Sequence, residues 1–266
     1  MGCLALPAVA IVGTRRASEH ALSASRAFGR AFAEAGLCVV SGLAFGVDAC
    51  SHRGALDAKA KTVAVVGSGV DDASLYPRAN LRLAREILKN GGLIISENPA
   101  GTKPANWDFP KRNRVIAALA AATVVVEAPI KSGALITAKF ALELGRNVYV
   151  CPADALRESA RGSNALLASG ATPLLDAADL ISEVFPELKK GARFDREALK
   201  PHNQEEAALL NALASGPKHV DDLVAAAKIP AAATQAALSN LELRGLIANL
   251  GNMRWGLVIG RLETRD

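Results

Sequence analysis

AVAIVGTRRASEHALSASRAFGRAFAEAGLCVVS, residues 8–41, decides the fold. Residues 8–12 form a short apolar run without polar alternation, the mark of a strand buried on both faces. Gly13 breaks the run, and Ser18 stands where it can cap a helix. From 19 to 35 the apolar residues recur at spacings of three and four, and a second buried strand follows at 37–41. A strand, a long helix and another strand make a parallel pair joined by a crossover. The pattern repeats, with strands at 62–66, 93–96, 123–127 and 147–151 and helices at 47–58, 79–90, 114–122 and 132–145. The expectation is an α/β chain with a doubly wound, Rossmann-like, mostly parallel sheet covered on both faces.

That rhythm ends near Val184. Residues 186–202, PELKKGARFDREALKPH, are charged, carry two prolines and lack an apolar period, so they read as a linker. Helices at 204–215, 220–227 and 232–244 and a hairpin turning on Gly251-Asn252 follow, a winged-helix pattern. Three segments are expected: a Rossmann-like domain at 1–185, a linker at 186–202 and a winged helix at 203–266.

Of the 266 residues, 50% are hydrophobic and 21% charged, which excludes a disordered or fibrous chain. No apolar run reaches the ~18 residues of a membrane span, and no targeting signal opens the chain, so a cytoplasmic protein with no membrane association is expected. Cys3, Cys38, Cys50 and Cys151 lie far apart with no CxxC, which reads as isolated thiols without a structural metal or disulfide framework. The net charge of +5 is unevenly shared: residues 201–266 carry −1 and the first 200 carry +6.

Ligands of open α/β sheets bind at the carboxyl ends of the strands. The loop after the first strand places Arg15 and Arg16 beside a helix start, an arrangement suited to an anion and equally found as a solvated pair. After the second strand, Ser41-Gly42 opens SGLAFGVD, a candidate nest of backbone N–H groups for phosphate or an ordinary tight turn. Gly67-Ser68-Gly69 lacks the third glycine of a dinucleotide fingerprint, and no GxxxxGK[ST] exists, so no nucleotide cofactor is expected. NWDFPKRNR, residues 106–114, sets Trp107 and Phe109 beside Lys111, Arg112, Asn113 and Arg114. Cations that track phosphates and rings that stack bases are what hold single-stranded nucleic acid, unless the rings simply pack into the core. The last loop, Lys131-Ser132-Gly133, again sets a base beside a small-residue turn. The four histidines show no triad or metal spacing, and Asp48 and Glu97 are conceivable bases without surrounding machinery, so no catalytic residue is expected.

VGTRRAS (12–18), SGLAFGVD (41–48), YPRAN (76–80), ISENPAGT (95–102), FPKRNRVIAAL (109–119) and KSGALITA (131–138) stand in the order found in the DprA/Smf family of DNA-processing proteins, which this chain resembles over roughly residues 8–185. The winged-helix pattern is similar to that family's C-terminal domain. The resemblance implies sequence-independent binding of single-stranded DNA that protects the strand during natural transformation, loading of RecA recombinase, and a homodimer. It further implies a phosphate contact for Arg15, hydroxyl or backbone contacts for Ser41 and Gly42, base stacking for Phe109, charge from Arg112 and Arg114, an ordering role for Asn113 and a rim position for Lys131. Three departures stand out: Phe45 where relatives often carry Arg, Pro152-Ala153 where Pro-Gly is usual, and a first strand already at Ala8 where many relatives have a helical domain ahead of it.

Two other readings compete. Phosphoribohydrolases of the lysine-decarboxylase-like group share the fold type and carry a PGGxGTxxE signature; the matching stretch here has neither the glycine run nor the acid, and Phe140 stands in the acid's place. A transcriptional regulator acting through the winged helix is disfavoured by that domain's negative balance.

Overall fold

The computed structural model describes residues 3–190, 201, 203–214, 216–243 and 246–257. The chain divides into two compact units, Met1–Ala192 and Arg193–Asp266.

In the first unit the strands are β1 (Ala8–Val12), β2 (Cys38–Ser41), β3 (Thr62–Val66), β4 (Leu93–Ser96), β5 (Ala122–Val125), β6 (Asn147–Val150) and β7 (Thr172–Pro173), mostly buried apolar runs except for the half-buried β4 and the exposed β7. Their order is β4-β3-β2-β1-β5-β6-β7, and every pairing is parallel. The chain builds outward from β1 to β4, then returns to add β5 on β1's other side, so the strand order reverses between β1 and β5. The helices are α1 (Glu19–Glu34), α2 (Val47–Asp57), α3 (Leu81–Lys89), α4 (Asp108–Leu119), α5 (Gly133–Glu143), α6 (Arg161–Ala168) and α7 (Ala177–Val184). Strand alternation sends Val63 and Val65 to one core with Ile116 and Ala117 of α4 and Ala138 of α5. Ala64 and Val66 go to the other face, against Ala49 of α2 and Leu83 and Ile87 of α3. Both faces are covered, as a doubly wound sheet requires.

Helices α6 and α7 and strand β7 leave no signal in the sequence, because a two-residue strand and eight-residue helices are too short to establish a period. Helix α4 begins at Asp108, six residues before the expected 114. Apart from Phe109 and Pro110 its first two turns are polar, and Pro110 sits in the first turn, where its missing N–H costs nothing. Residues 78–80 form a 3-10 turn ahead of α3 rather than its first turn. Pro186–Lys190 is also 3-10, while 191–200 and 202, the rest of the expected linker, lie outside the described residues. The thiols are free, but Cys3 and Cys38 are not isolated: both are buried, with their sulfurs 3.7 Å apart.

His52 of α2 is fully buried. The Thr62 hydroxyl donates to Val39 O at 2.6 Å, so the ring contact of 2.8 Å has Nδ1–H donating to Thr62. Burial, aided by the Arg112 charge, pulls this imidazole from its usual 6.5 down to about 3. Below the usual value the unfolded chain takes a proton that the folded chain refuses. Stability therefore falls as pH drops through that window, by up to ~1.4 kcal/mol per pH unit. Urea unfolding of His52→Gln between about pH 4 and 7 should show that pH dependence reduced.

The second unit holds α8 (Gln204–Leu213), β8 (Lys218–His219), α9 (Val220–Ala227), α10 (Ala231–Leu243), β9 (Ile247–Asn249) and β10 (Arg254–Leu257). Its antiparallel sheet runs β8-β10-β9 around a core of Leu209, Leu223, Leu238, Leu241 and Trp255. This is a winged helix with the short β8 added; residues 215, 244 and 258, at the ends of expected elements, lie outside the described residues.

Candidate nucleic-acid interface

A cleft of about 950 Å³ opens at the carboxyl ends of β1 and β5, where the strand order reverses. The β1–α1 loop forms one wall. Thr14 N donates to Glu127 O at 2.7 Å, and the Glu127 carboxylate accepts from Ser18 N (3.2 Å) and Ser18 Oγ (2.5 Å). Ser18 also caps α1, accepting from Ala21 N. So tethered, the loop carries Arg15 and Arg16 outward, both exposed and neither with a carboxylate partner among the described residues.

Helix α4 forms the opposite wall. Trp107, its N-cap, is 74% exposed, and Phe109 is half-buried, so neither ring belongs to the core. The Arg15 guanidinium carbon lies 5.2 Å from the Phe109 ring centroid, a cation–π arrangement. Tyr76 meets the same ring at 5.6 Å with a 52° tilt. Tyr76 comes from the YPRAN stretch and was no candidate in the sequence reading; its one signal there is an aromatic beside Pro77 and Arg78 in a chain with 4% aromatics.

The floor is built from two buried charged side chains, Arg112 and Asp48, both hydrogen-bonded to the peptide groups of Gly42. Arg112 donates through Nη1 to Gly42 O at 2.7 Å and to Val65 O, and through Nε to Asn113 Oδ1 at 3.2 Å. Asp48 accepts from Gly42 N at 3.1 Å and Ala44 N at 3.3 Å. Gly42 thus joins the pair through both of its peptide groups. Its Cα approaches them closely: a methyl there would sit 2.6 Å from Asp48 Oδ2 and 2.7 Å from Arg112 Nη2. Burial pushes the Asp48 carboxyl up, and the Arg112 charge opposes that shift. Burial pulls Arg112 down to about 10, with Asp48 opposing and Arg15 adding to the fall.

Several of the expected site residues are engaged within the fold. The nest at Gly42 is filled by Asp48 and is not open to phosphate. Ser41 is fully buried and donates to Ile11 O at 2.6 Å. Arg112 spends its donors on carbonyls rather than projecting charge. Arg114 pairs with Glu97 outside the cleft lining, which also occupies the acid considered as a base. Lys111 is exposed but lies outside the lining. Asn113 Nδ2 donates to Gly133 O at 3.0 Å, tying α4 to α5. Ser132 caps α5 by accepting from Ala134 N, and Lys131 and Gly133 stand exposed on the cleft lining. The cleft lining therefore gathers Arg15, Arg16, Phe109, Arg112, Asn113, Lys131, Ser132 and Gly133, and leaves out Ser41, Gly42, Lys111 and Arg114. Among the described residues no His/Cys/Asp/Glu cluster could hold a metal, and no helix is long and apolar enough to cross a membrane.

The sequence profile of the DNA recombination-mediator protein A family matches residues 1–185. The chain belongs to that family. The profile of the DprA winged helix domain matches residues 195–253, which contain α8 to α10 and β9. Protein Smf of Synechocystis sp. is 37% identical over 94% of this chain and 70% of its own length. DNA processing protein DprA of Bacillus subtilis is 38% identical over 66% of this chain and 58% of its own. The chain thus spans well under two thirds of the second relative. Among solved structures, DprA of Streptococcus pneumoniae superposes with a TM-score of 0.63 at 37% identity, covering 68% of this chain and 63% of that one. DprA of Helicobacter pylori, described for its single-stranded DNA binding mode, superposes at 0.64 and 31% identity over 70% of this chain and 84% of that one.

Proposed function

We propose that the first unit binds single-stranded DNA in the cleft between β1 and β5 without reading its sequence. One observation carries this reading: three cations without a carboxylate partner among the described residues, Arg15, Arg16 and Lys131, line the same cleft as an incompletely buried phenylalanine. Cations bind phosphates in any sequence, and every base has a face to stack. Arg15 meets the backbone and hands the Phe109 ring to a base, while Arg112 and Asn113 hold α4 in place beneath them. The single-stranded DNA binding of the Helicobacter pylori relative supports the assignment. Fluorescence anisotropy of labelled oligo-dT, with a duplex of equal length as control, tests it. Salt-sensitive binding that favours the single strand is expected, and equal or absent binding would overturn it. Protection of the strand, loading of RecA recombinase and pairing of two chains are family-level extensions. They are read out by nuclease resistance, by recombinase ATP turnover on covered strands and by light scattering.

The winged helix takes no part in that grip. Helix α10, in the recognition position, contains no Lys or Arg, and its exposed residues include Ala232, Gln235, Ala236 and Ser239. A helix without cations makes a poor case for phosphate; this unit serves protein contacts or regulation instead. Removal of residues 193–266 should leave oligo-dT affinity within about twofold of the full chain, because the salt-dependent contacts all lie in the first unit.

A further inference from the structure

Resting on the reading of the cleft as a single-strand site, we propose that Phe45 is a second base-stacking position, serving the nucleobase next to the one held at Phe109. Phe109 is engaged in the free protein, with Arg15 on its face and Tyr76 against it. Phe45 is 42% exposed, a large apolar ring left in water. Both rings line one crevice with Arg15, Tyr76 and Pro77, and its space of about 10 Å³ is far too small to swallow a base. A base at this end of the cleft therefore lies over the rings rather than between them.

The loop that carries Phe45 is clamped from two sides. Asp48 accepts from Gly42 N and Ala44 N, and buried Asn80 donates to Leu43 O at 2.8 Å and Ala44 O at 3.2 Å. Leu43 is held at φ 59° with its side chain fully buried, and Gly46 at φ 74°. Leu43 adopts a left-handed conformation that a leucine keeps only under strong surrounding constraint. A ring on so fixed a loop loses little conformational freedom when a flat ligand covers it, which is what makes a stacking platform effective. Nothing in the fold requires an aromatic there, because the clamp is made by Leu43, Asn80 and Asp48 and not by Phe45.

Stacking is indifferent to salt and requires a base, and those two properties separate it from phosphate contact. Binding of oligo-dT and of an abasic oligonucleotide of equal length is measured by anisotropy over a salt series, using the full chain. Phe45→Ala and Phe45→Leu are expected to weaken oligo-dT binding about five- to tenfold, with the salt slope unchanged. Phe45→Trp should stay within about twofold of wild type, and the abasic strand should bind all four proteins alike. Thermal melts establish that each variant is folded, and the leucine variant keeps apolar bulk while removing the flat ring. Oligo-dT binding unchanged in the alanine and leucine variants, while Arg15→Ala weakens it, would overturn the second position and leave the cleft reading intact. Equal weakening on the abasic strand would also overturn it, by placing the effect in the loop rather than in a base. Wild-type protein that binds no single strand would bring down the cleft reading and this inference with it.

Discussion

Arg112→Ala is expected to destabilise the first unit by about 2–6 kcal/mol, measured by urea unfolding at neutral pH. Removing the guanidinium takes away the charge that opposes the upward push of burial on the Asp48 carboxyl. It also strips hydrogen bonds from the carbonyls of Gly42 and Val65, each costing ~1–3 kcal/mol if left unsatisfied. Arg112→Lys should recover only part of the loss, since an ammonium cannot span Gly42 O, Val65 O and Asn113 Oδ1 with fixed planar geometry. The double variant Arg112→Ala with Asp48→Ala should be less unstable than the sum of its singles, because the two side chains hold the same Gly42 peptide groups and act on each other electrostatically.

The same variant separates two roles for Arg112. As a source of charge toward DNA, it would leave the fold intact and flatten the salt dependence of binding when removed. As the floor beneath Gly42, it weakens binding through the loop carrying Phe45 and the helix carrying Phe109, and the folded fraction keeps its salt slope. The hydrogen bonds to two buried carbonyls select the second role.

What local sequence discloses, and what it hides, follows from the range of the interactions. Strands at 8–12, 62–66 and 93–96 are legible to the residue, because the first two are buried on both faces and the third, a half-buried edge strand, still carries an apolar run. The Ser18 cap is legible because its partner, Ala21 N, lies three residues away. The start of α4 is hidden, since residues 108–113 place polar groups on a helix that faces a cleft, where no apolar period is required. Arg112 is hidden for a different reason. Its acceptors are 70 and 47 residues away in sequence, so its local neighbours, Lys111 and Arg114, make it read as one of three surface cations. Phe45 registers in sequence only as a missing charge; its exposure depends on the clamp from Asn80, 35 positions downstream.

Replacing Arg15, Arg16 and Lys131 together by alanine should cut oligo-dT affinity by roughly two to three orders of magnitude at ~50 mM salt. Each phosphate neutralised on a single strand contributes about 0.7 to the slope of log affinity against log salt. Three lost contacts therefore flatten the slope by about 2, and the two lines converge as salt approaches ~1 M. The size of the change counts the cations that reach the strand. If all six basic residues singled out from sequence (Arg15, Arg16, Lys111, Arg112, Arg114 and Lys131) met phosphates, the wild-type slope would be about 4, and the triple variant would keep about half of it. Arg112 is committed to buried carbonyls, Arg114 to Glu97, and Lys111 stands off the lining, so the triple variant should instead lose nearly all salt dependence. What remains is the salt-insensitive part of binding, the stacking at Phe109 and Phe45. A triple variant that keeps a slope near 2 would assign the strand a path over Lys111 and Arg114, outside the cleft.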